Sequence, residues 1–175
     1  MKPPSFDYVA PRTIGEVVAL LQHHAGDAKI LAGGQSLMPL LNMRFARPSL
    51  LIDLNRLPDL DYIREADGML AVGALTRQRA LERSPLVKKR QPLIDAALQL
   101  VSHPQIRNRG TVCGSLAHAD PAAELPAVAT ALEAQFVATG PQGTRTITAS
   151  DFFVTILTTA LEPAEVLTEV RFPVL

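Results

Sequence analysis

The stretch Lys29 to Met38, K-I-L-A-G-G-Q-S-L-M, restricts the fold of this chain more than any other. It begins with Ile30-Leu31-Ala32, an apolar run with the character of a buried strand. The run breaks at Gly33-Gly34, shows the polar pair Gln35-Ser36, and returns to apolar residues at Leu37, Met38, Leu40 and Leu41. A strand that passes through two glycines into a helix aims several backbone N–H groups at one point. Glycine reaches positive φ at little cost and lets a ligand approach the main chain. Unpaired N–H groups at a helix start, helped by the helix dipole, favour an anion. Ser36 adds a hydroxyl there. From this stretch alone, a phosphate cradle and a plain strand–turn–helix connection are equal readings.

The flanking sequence supplies partners for that strand. Residues 1–12 hold three prolines and read as an extended arm. Thr13 and Glu16 form a capping box ahead of a helix carrying Val17, Val18, Leu20 and Leu21 and ending near Gly26. His23-His24 reads as a solvated helix end, because helix neighbours diverge too far to share a metal. A second apolar run, Leu50-Leu51-Ile52, ends at Asp53. Helix, strand, helix, strand is the order of a small parallel sheet, and residues 1–56 are taken as the first lobe.

Residues 57–175 read as a second lobe with a different grammar. Leu60–Glu65 and Met69–Gly73 form a hairpin about Asp67-Gly68, and Ala134–Ala138 and Thr144–Thr148 form another about residues 140–143. Thr76 caps a short helix through Leu81, and Pro92–Val101 is helical and ends at Pro104. Glu124–Leu132 is a further helix, Asp151-Phe152-Phe153 begins a short one, and Val166–Phe172 alternates like a strand. Hairpins mixed with helices predict an antiparallel sheet with helices on one side, an α+β lobe.

Bulk composition removes several functions. Lys plus Arg and Asp plus Glu both number 17 in 175 residues, without the basic surplus of a nucleic-acid binder. No apolar run reaches membrane-span length, and the N-terminus has no signal-peptide core. The single cysteine, Cys113, excludes an internal disulfide, a self-contained iron–sulfur cluster and a cysteine-rich zinc site. A cytoplasmic protein is expected.

A second small-residue stretch runs from Ile106 to Glu124, I-R-N-R-G-T-V-C-G-S-L-A-H-A-D-P-A-A-E. Gly110 and Gly114 flank Thr111, Val112 and Cys113, and Ser115 follows. Asp120 and Glu124 bracket a helix start, where they can accept hydrogen bonds from sugar or ribityl hydroxyls or simply favour the dipole.

The two stretches together resemble the FAD-binding medium subunit of molybdenum hydroxylases, the family of carbon monoxide dehydrogenase and xanthine dehydrogenase. A-G-G-Q-S-L at 32–37 and I-R-N-R-G-T-V-C-G-S-L-A-H-A-D-P-A-A-E-L-P at 106–126 carry the resemblance. F-D-Y-V-A-P at 6–11, L-I-D-L at 51–54, D-F-F at 151–153 and L-E-P-A-E-V-L-T-E-V-R-F-P at 161–173 extend it over the whole chain. It implies a two-lobed α+β fold of the vanillyl-alcohol oxidase type with FAD extended between the lobes. Carried over by position, Ala32, Gly33, Gly34, Gln35 and Ser36 hold the pyrophosphate, and Leu37 binds the cofactor beside them. Thr111, Val112, Cys113, Gly114 and Ser115 hold the other side of the cofactor, Asp120 and Glu124 its hydroxyls, and Leu167 lies near the flavin ring. No catalytic side chain and no metal ligand is implied in this chain.

The resemblance further implies partners: a small iron–sulfur subunit, a large molybdopterin subunit, and an external electron acceptor. Two departures stand out. The family has glycine where this chain has Cys113, which costs about 1 kcal/mol if that position requires positive φ. The family also continues with a small C-terminal domain past the point where this chain stops at Leu175, as expected of a fragment or a reduced member. Ser115, His118 and Asp120 lie too close in sequence for a hydrolase triad and lack its elbow motif. Cys113 beside His103 or His118 is a weaker nucleophile candidate than a buried structural thiol. A stand-alone flavin oxidoreductase and a non-catalytic module that has lost FAD are the alternative functions.

Overall fold

In a computed structural model that describes residues 2–24 and 26–175, the chain forms two main sheets that meet along one seam, and a small two-stranded third sheet. The first is a parallel three-stranded sheet. Its strands are β1 (Asp7–Val9), β2 (Ala28–Leu31) and β3 (Leu50–Asp53), in the order β1-β3-β2. The N-terminal arm is therefore an edge strand, with Tyr8 opposite Leu51. Between β1 and β2 runs α1 (Ile14–His23), whose Val17, Val18 and Leu21 are buried. Thr13 caps it by accepting the Glu16 N–H at 3.2 Å, and the Glu16 carboxylate accepts the Arg12 N–H at 2.8 Å. Between β2 and β3 lies α2 (Leu37–Asn42).

The second sheet is antiparallel. Its strands are β4 (Ile63–Ala66), β5 (Met69–Gly73), β6 (Gln135–Gly140), β7 (Gly143–Thr148) and the long β10 (Val166–Pro173), in the order β4-β5-β10-β6-β7. Asp67 and Gly68 both take positive φ, 52° and 73°, which matches the tight turn of the first hairpin. The small hairpin of β8 (Phe153–Thr155) and β9 (Thr158–Thr159) stands apart.

The helices of this lobe are α3 (Gln78–Arg83), α4 (Pro85–Arg90), α5 (Pro92–Leu100), α6 (Pro104–Arg109), α7 (Val112–His118), α8 (Glu124–Ala131) and α9 (Ala149–Phe152). They cover one face of the sheet, where Leu70, Val72, Phe136, Val170 and Phe172 meet Leu98, Leu116, Leu125 and Phe152. The opposite face is polar. There Glu169 is buried under Tyr62, Arg64 and Arg171.

Four local expectations change. Thr76 does not cap α3; Arg77 holds that position, and the buried Thr76 hydroxyl donates to the Tyr62 carbonyl at 2.8 Å. Pro104 opens α6, as Pro85 opens α4 and Pro92 opens α5, because proline lacks only an N–H that the first turn leaves unpaired anyway. Phe152 closes α9 rather than beginning a helix. Leu60 belongs to a 3-10 turn, Pro58–Leu60, ahead of β4.

The smaller core is shared between the sheets. Val17, Val18, Leu21, Leu50 and Ile52 pack with Leu57, Leu75 and Val166 from the later part of the chain. The seam is thus apolar and continuous, which holds the two sheets in a fixed relation.

Candidate functional site

The first glycine turn leaves the parallel sheet at the end of β2. Gly34 has φ +72°, a conformation that strains any side-chain-bearing residue. The Gln35 side chain donates through Nε2 to the Gly33 carbonyl at 3.1 Å. Ser36 begins α2 with an αR backbone and makes no side-chain cap. Among the described residues, the N–H groups of Gly33, Gly34, Gln35 and Ser36 have no hydrogen-bond acceptor in the protein. Partly buried N–H groups need acceptors, so water or a ligand must supply them.

The second small-residue stretch is a helix start. Thr111 caps α7 and accepts the Gly114 N–H at 3.2 Å. The Val112 N–H donates to the Thr76 carbonyl at 3.0 Å and the Ser115 N–H to the Thr111 carbonyl at 3.2 Å. Cys113 lies inside α7 without positive φ, so the strain considered for a side chain there does not arise. A Cβ on Gly114 would lie 2.5 Å from the Thr111 hydroxyl oxygen, so glycine preserves the cap.

The two turns touch. A Cβ on Gly33 would lie 2.4 Å from the Arg109 carbonyl oxygen and 2.8 Å from the Gly110 Cα. Only glycine permits this backbone-to-backbone approach. Beside the junction a cavity of about 650 Å³ opens, lined from both sheets. Ala32 to Leu37, Thr111, Cys113, Gly114, Ser115 and Leu167 all line it. Val112, fully buried, lies in the core behind this surface. Asp120 and Glu124 fall outside the lining, and the Asp120 carboxylate accepts the Ala122 N–H at 2.9 Å.

Residues that carry no motif also reach the cavity. Gln78 is buried there, and its Oε1 has no hydrogen-bond partner. Leu157, at the tip of the β8–β9 hairpin, takes positive φ (57°) and also lines the cavity. Nothing in the local sequence marks either one. Lys29 brings a cation to the lining, whereas the charge of Glu165 is neutralised by Arg145 at 2.7 and 2.8 Å. Those hydrogen bonds hold the Glu165 carboxyl below its ordinary range.

Burial pushes the Cys113 thiol up, with the nearby Glu169 carboxylate adding to the effect. Its Sγ faces the Val72 carbonyl at 3.9 Å, and among the described residues no histidine hydrogen-bonds to it. It is a protonated, structural thiol. No cluster of three or more metal-ligating side chains occurs among the described residues.

Residues 4–175 match the family model for the FAD binding domain in molybdopterin dehydrogenase. The chain belongs to this family. It is 48% identical over 173 residues to the carbon monoxide dehydrogenase medium chain of Hydrogenophaga pseudoflava, covering 99% of this chain and 60% of that one. It is 49% identical over 173 residues to the 6-hydroxypseudooxynicotine dehydrogenase complex subunit alpha of Paenarthrobacter nicotinovorans, with 99% and 58% coverage. The solved carbon monoxide dehydrogenase from Hydrogenophaga pseudoflava superposes with a TM-score of 0.97 over 100% of this chain and 61% of its own. Quinoline 2-oxidoreductase from Pseudomonas putida 86 superposes at 0.96 with 41% identity, over 99% of this chain and 61% of its own. This FAD binding domain thus spans about 60% of the length of the relatives it matches.

The two-lobed flavin-binding fold and the FAD cofactor implied by the sequence are those of the family. The cavity suits such a cofactor. Four N–H groups without acceptors, glycines in place of side chains, and a hydroxyl at Ser36 are what a pyrophosphate requires.

Proposed function

We propose that this domain carries the FAD of a medium subunit in a multi-subunit molybdenum hydroxylase, in which electrons from partner iron–sulfur clusters reach an external acceptor by way of the flavin. The observation that supports this most directly is the row of unspent N–H groups at Gly33 to Ser36, opening on a cavity lined from both lobes. When bound, FAD supplies the redox chemistry; the protein binds, orients and shields it. The main chain of Gly33 to Ser36 and the Ser36 hydroxyl hold the pyrophosphate. Thr111, Gly114 and Ser115 face it across the cavity, and Leu167 supplies an apolar wall for the ring. Asp120 and Glu124 are assigned to the cofactor's hydroxyls by family resemblance, not by the cavity lining. Residues 1–56 and 57–175 form the two lobes of this reading.

A small iron–sulfur subunit and a large molybdopterin subunit complete the proposed enzyme, in the cytoplasm. No helix among the described residues is long and apolar enough to cross a membrane. The substrate is oxidised on the large subunit and leaves no trace in this chain. The deciding experiment is isolation of the protein under native conditions, with its flavin spectrum recorded and its co-isolating chains identified. Stoichiometric FAD together with an iron–sulfur and a molybdopterin chain is expected. FAD with turnover in the absence of partners would replace this reading with a stand-alone flavin oxidoreductase. No binding after reconstitution would replace it with an interaction module.

A further inference from the structure

The turn junction is bracketed by a run of side-chain hydrogen bonds that the cofactor motifs do not contain. The Asn55 Nδ2 donates to the Ala32 carbonyl at 2.9 Å, and its Oδ1 accepts from the Arg77 Nη2 at 2.5 Å. The Arg77 Nη1 donates to the Arg109 carbonyl at 2.5 Å. Asn55 is itself oriented by Asp53, which accepts its backbone N–H at 2.9 Å and its amide at 2.5 Å. Asp53 in turn accepts the Tyr8 hydroxyl at 2.5 Å.

Both carbonyls in this run belong to the junction. The Ala32 carbonyl is in the same peptide as the Gly33 N–H. In a trans peptide the two point in opposite directions. Asn55, by holding the oxygen, therefore sets the direction of the first unspent N–H of the cradle. The Arg109 carbonyl is the atom against which Gly33 packs. Arg77 is moreover fastened to the second turn by main chain, through the antiparallel bridge to Thr111 and the Gln78 N–H to Gly110 carbonyl bond at 2.9 Å. Its backbone thus belongs to one turn and its guanidinium spans to the other.

We propose that Arg77 and Asn55 are positioning residues, an interlobe latch that fixes the separation of the two turns and the aim of the Gly33 N–H, and so sets the affinity for FAD. The latch rests on the functional reading above. Its chemistry needs the planar fork of arginine: two N–H groups reach two acceptors on different lobes, which a lysine ammonium on one stem cannot do equally.

The test is a double-mutant cycle on FAD affinity, read by flavin fluorescence during titration of the flavin-stripped protein, with the melting of each stripped variant recorded alongside. Arg77→Ala and Asn55→Ala are each expected to raise the Kd for FAD about tenfold. The double variant is expected to be no worse than the weaker single variant, because both remove one device. Arg77→Lys is expected to bind as poorly as Arg77→Ala. Asn55 is exposed, so its truncation disturbs no core and keeps the test open should Arg77→Ala fold badly. Unchanged affinity in both single variants, multiplying losses in the double variant, or full recovery with Arg77→Lys would each overturn the latch while leaving FAD binding intact. An unaltered protein that fails to bind FAD overturns the functional reading, and the latch with it.

Discussion

The turn at Gly33 and the turn at Thr111 look alike in sequence, each a short run of glycines, a hydroxyl and small residues, yet their backbones are opposites. The first has its carbonyls paired but its N–H donors unspent. Gly33 to Ser36 keep their N–H groups free, and Ser36 does not cap its helix. The second is largely satisfied from within, by the Thr111 cap and by pairing with the start of α3. In the function proposed here, one turn takes the ligand's charge and the other is the supporting wall of the same cavity. A cleft that binds an extended anion needs both, since a cradle whose far side moves loses the preorganisation that makes binding favourable.

The strongest test of this contrast acts where the turns meet. Gly33→Ala places a methyl 2.4 Å from the Arg109 carbonyl, and backbone on both sides cannot yield as a flexible side chain would. Forced separation of this kind costs about 3 kcal/mol. FAD affinity is expected to fall by roughly a hundredfold, since each factor of ten corresponds to about 1.4 kcal/mol. A variant that keeps its affinity would show that the close approach is incidental.

The next effect falls on the rigid side alone. Glu82 and Arg107, both buried, pair at 3.0 Å and tie α3 to α6, just ahead of the second turn. Arg107 also donates to the Val101 carbonyl at 2.6 Å. Burial by itself raises the Glu82 carboxyl, but hydrogen bonds from Arg107 and Arg79 outweigh it and leave the group below its ordinary value of 4.5. A carboxyl depressed on folding stabilises the native state above its unfolded pKa. That contribution is lost as pH falls from about 4.5 through the depressed folded value. Glu82→Gln is expected to cost about 2 kcal/mol at pH 7 and to flatten the acid limb of a urea-midpoint profile below about pH 5. An unchanged acid limb would place the acid sensitivity elsewhere, for instance at Glu169, whose carboxyl is depressed in the same direction by Tyr62 and Arg171.

How much of this was legible in the sequence depends on whether an element is set locally or by contact. The parallel sheet, both hairpins and the Gly33 turn were readable, because alternation, helical spacing and glycine pairs act over a few residues. Thr76 was misread because a threonine ahead of a helical run looks like a cap, whereas its hydroxyl is claimed by Tyr62, 14 residues away. Pro104 was misread because a proline that ends one helix can also open the next. The small residues of both turns, singled out in the sequence, line one cavity, whereas Asp120 and Glu124 do not, and Gln78 and Leu157 line it without having been singled out. Their places on the cavity follow from how α3 and the β8–β9 hairpin pack. Asn55 and Arg77 were invisible for the same reason; their shared partners are brought together only by the fold.

The two hydroxyls give the finest discrimination between the turns. Ser36→Ala removes a side chain with no cap bond, so melting without FAD is expected to stay unchanged. Losing a hydroxyl that bonds a charged phosphate costs about 1.5 kcal/mol, or roughly tenfold in FAD affinity. Thr111→Val should do the reverse. It deletes a cap worth about 1 kcal/mol, which lowers the melting temperature by about 3 °C with or without FAD. It also frees the Gly114 N–H, now bonded to Thr111 at 3.2 Å, to meet the ligand directly. Its loss of affinity should therefore be smaller than that of Ser36→Ala. Equal losses of affinity in the two variants would mean that both turns act as cradles, and that the division between a charge-binding turn and a supporting one is wrong.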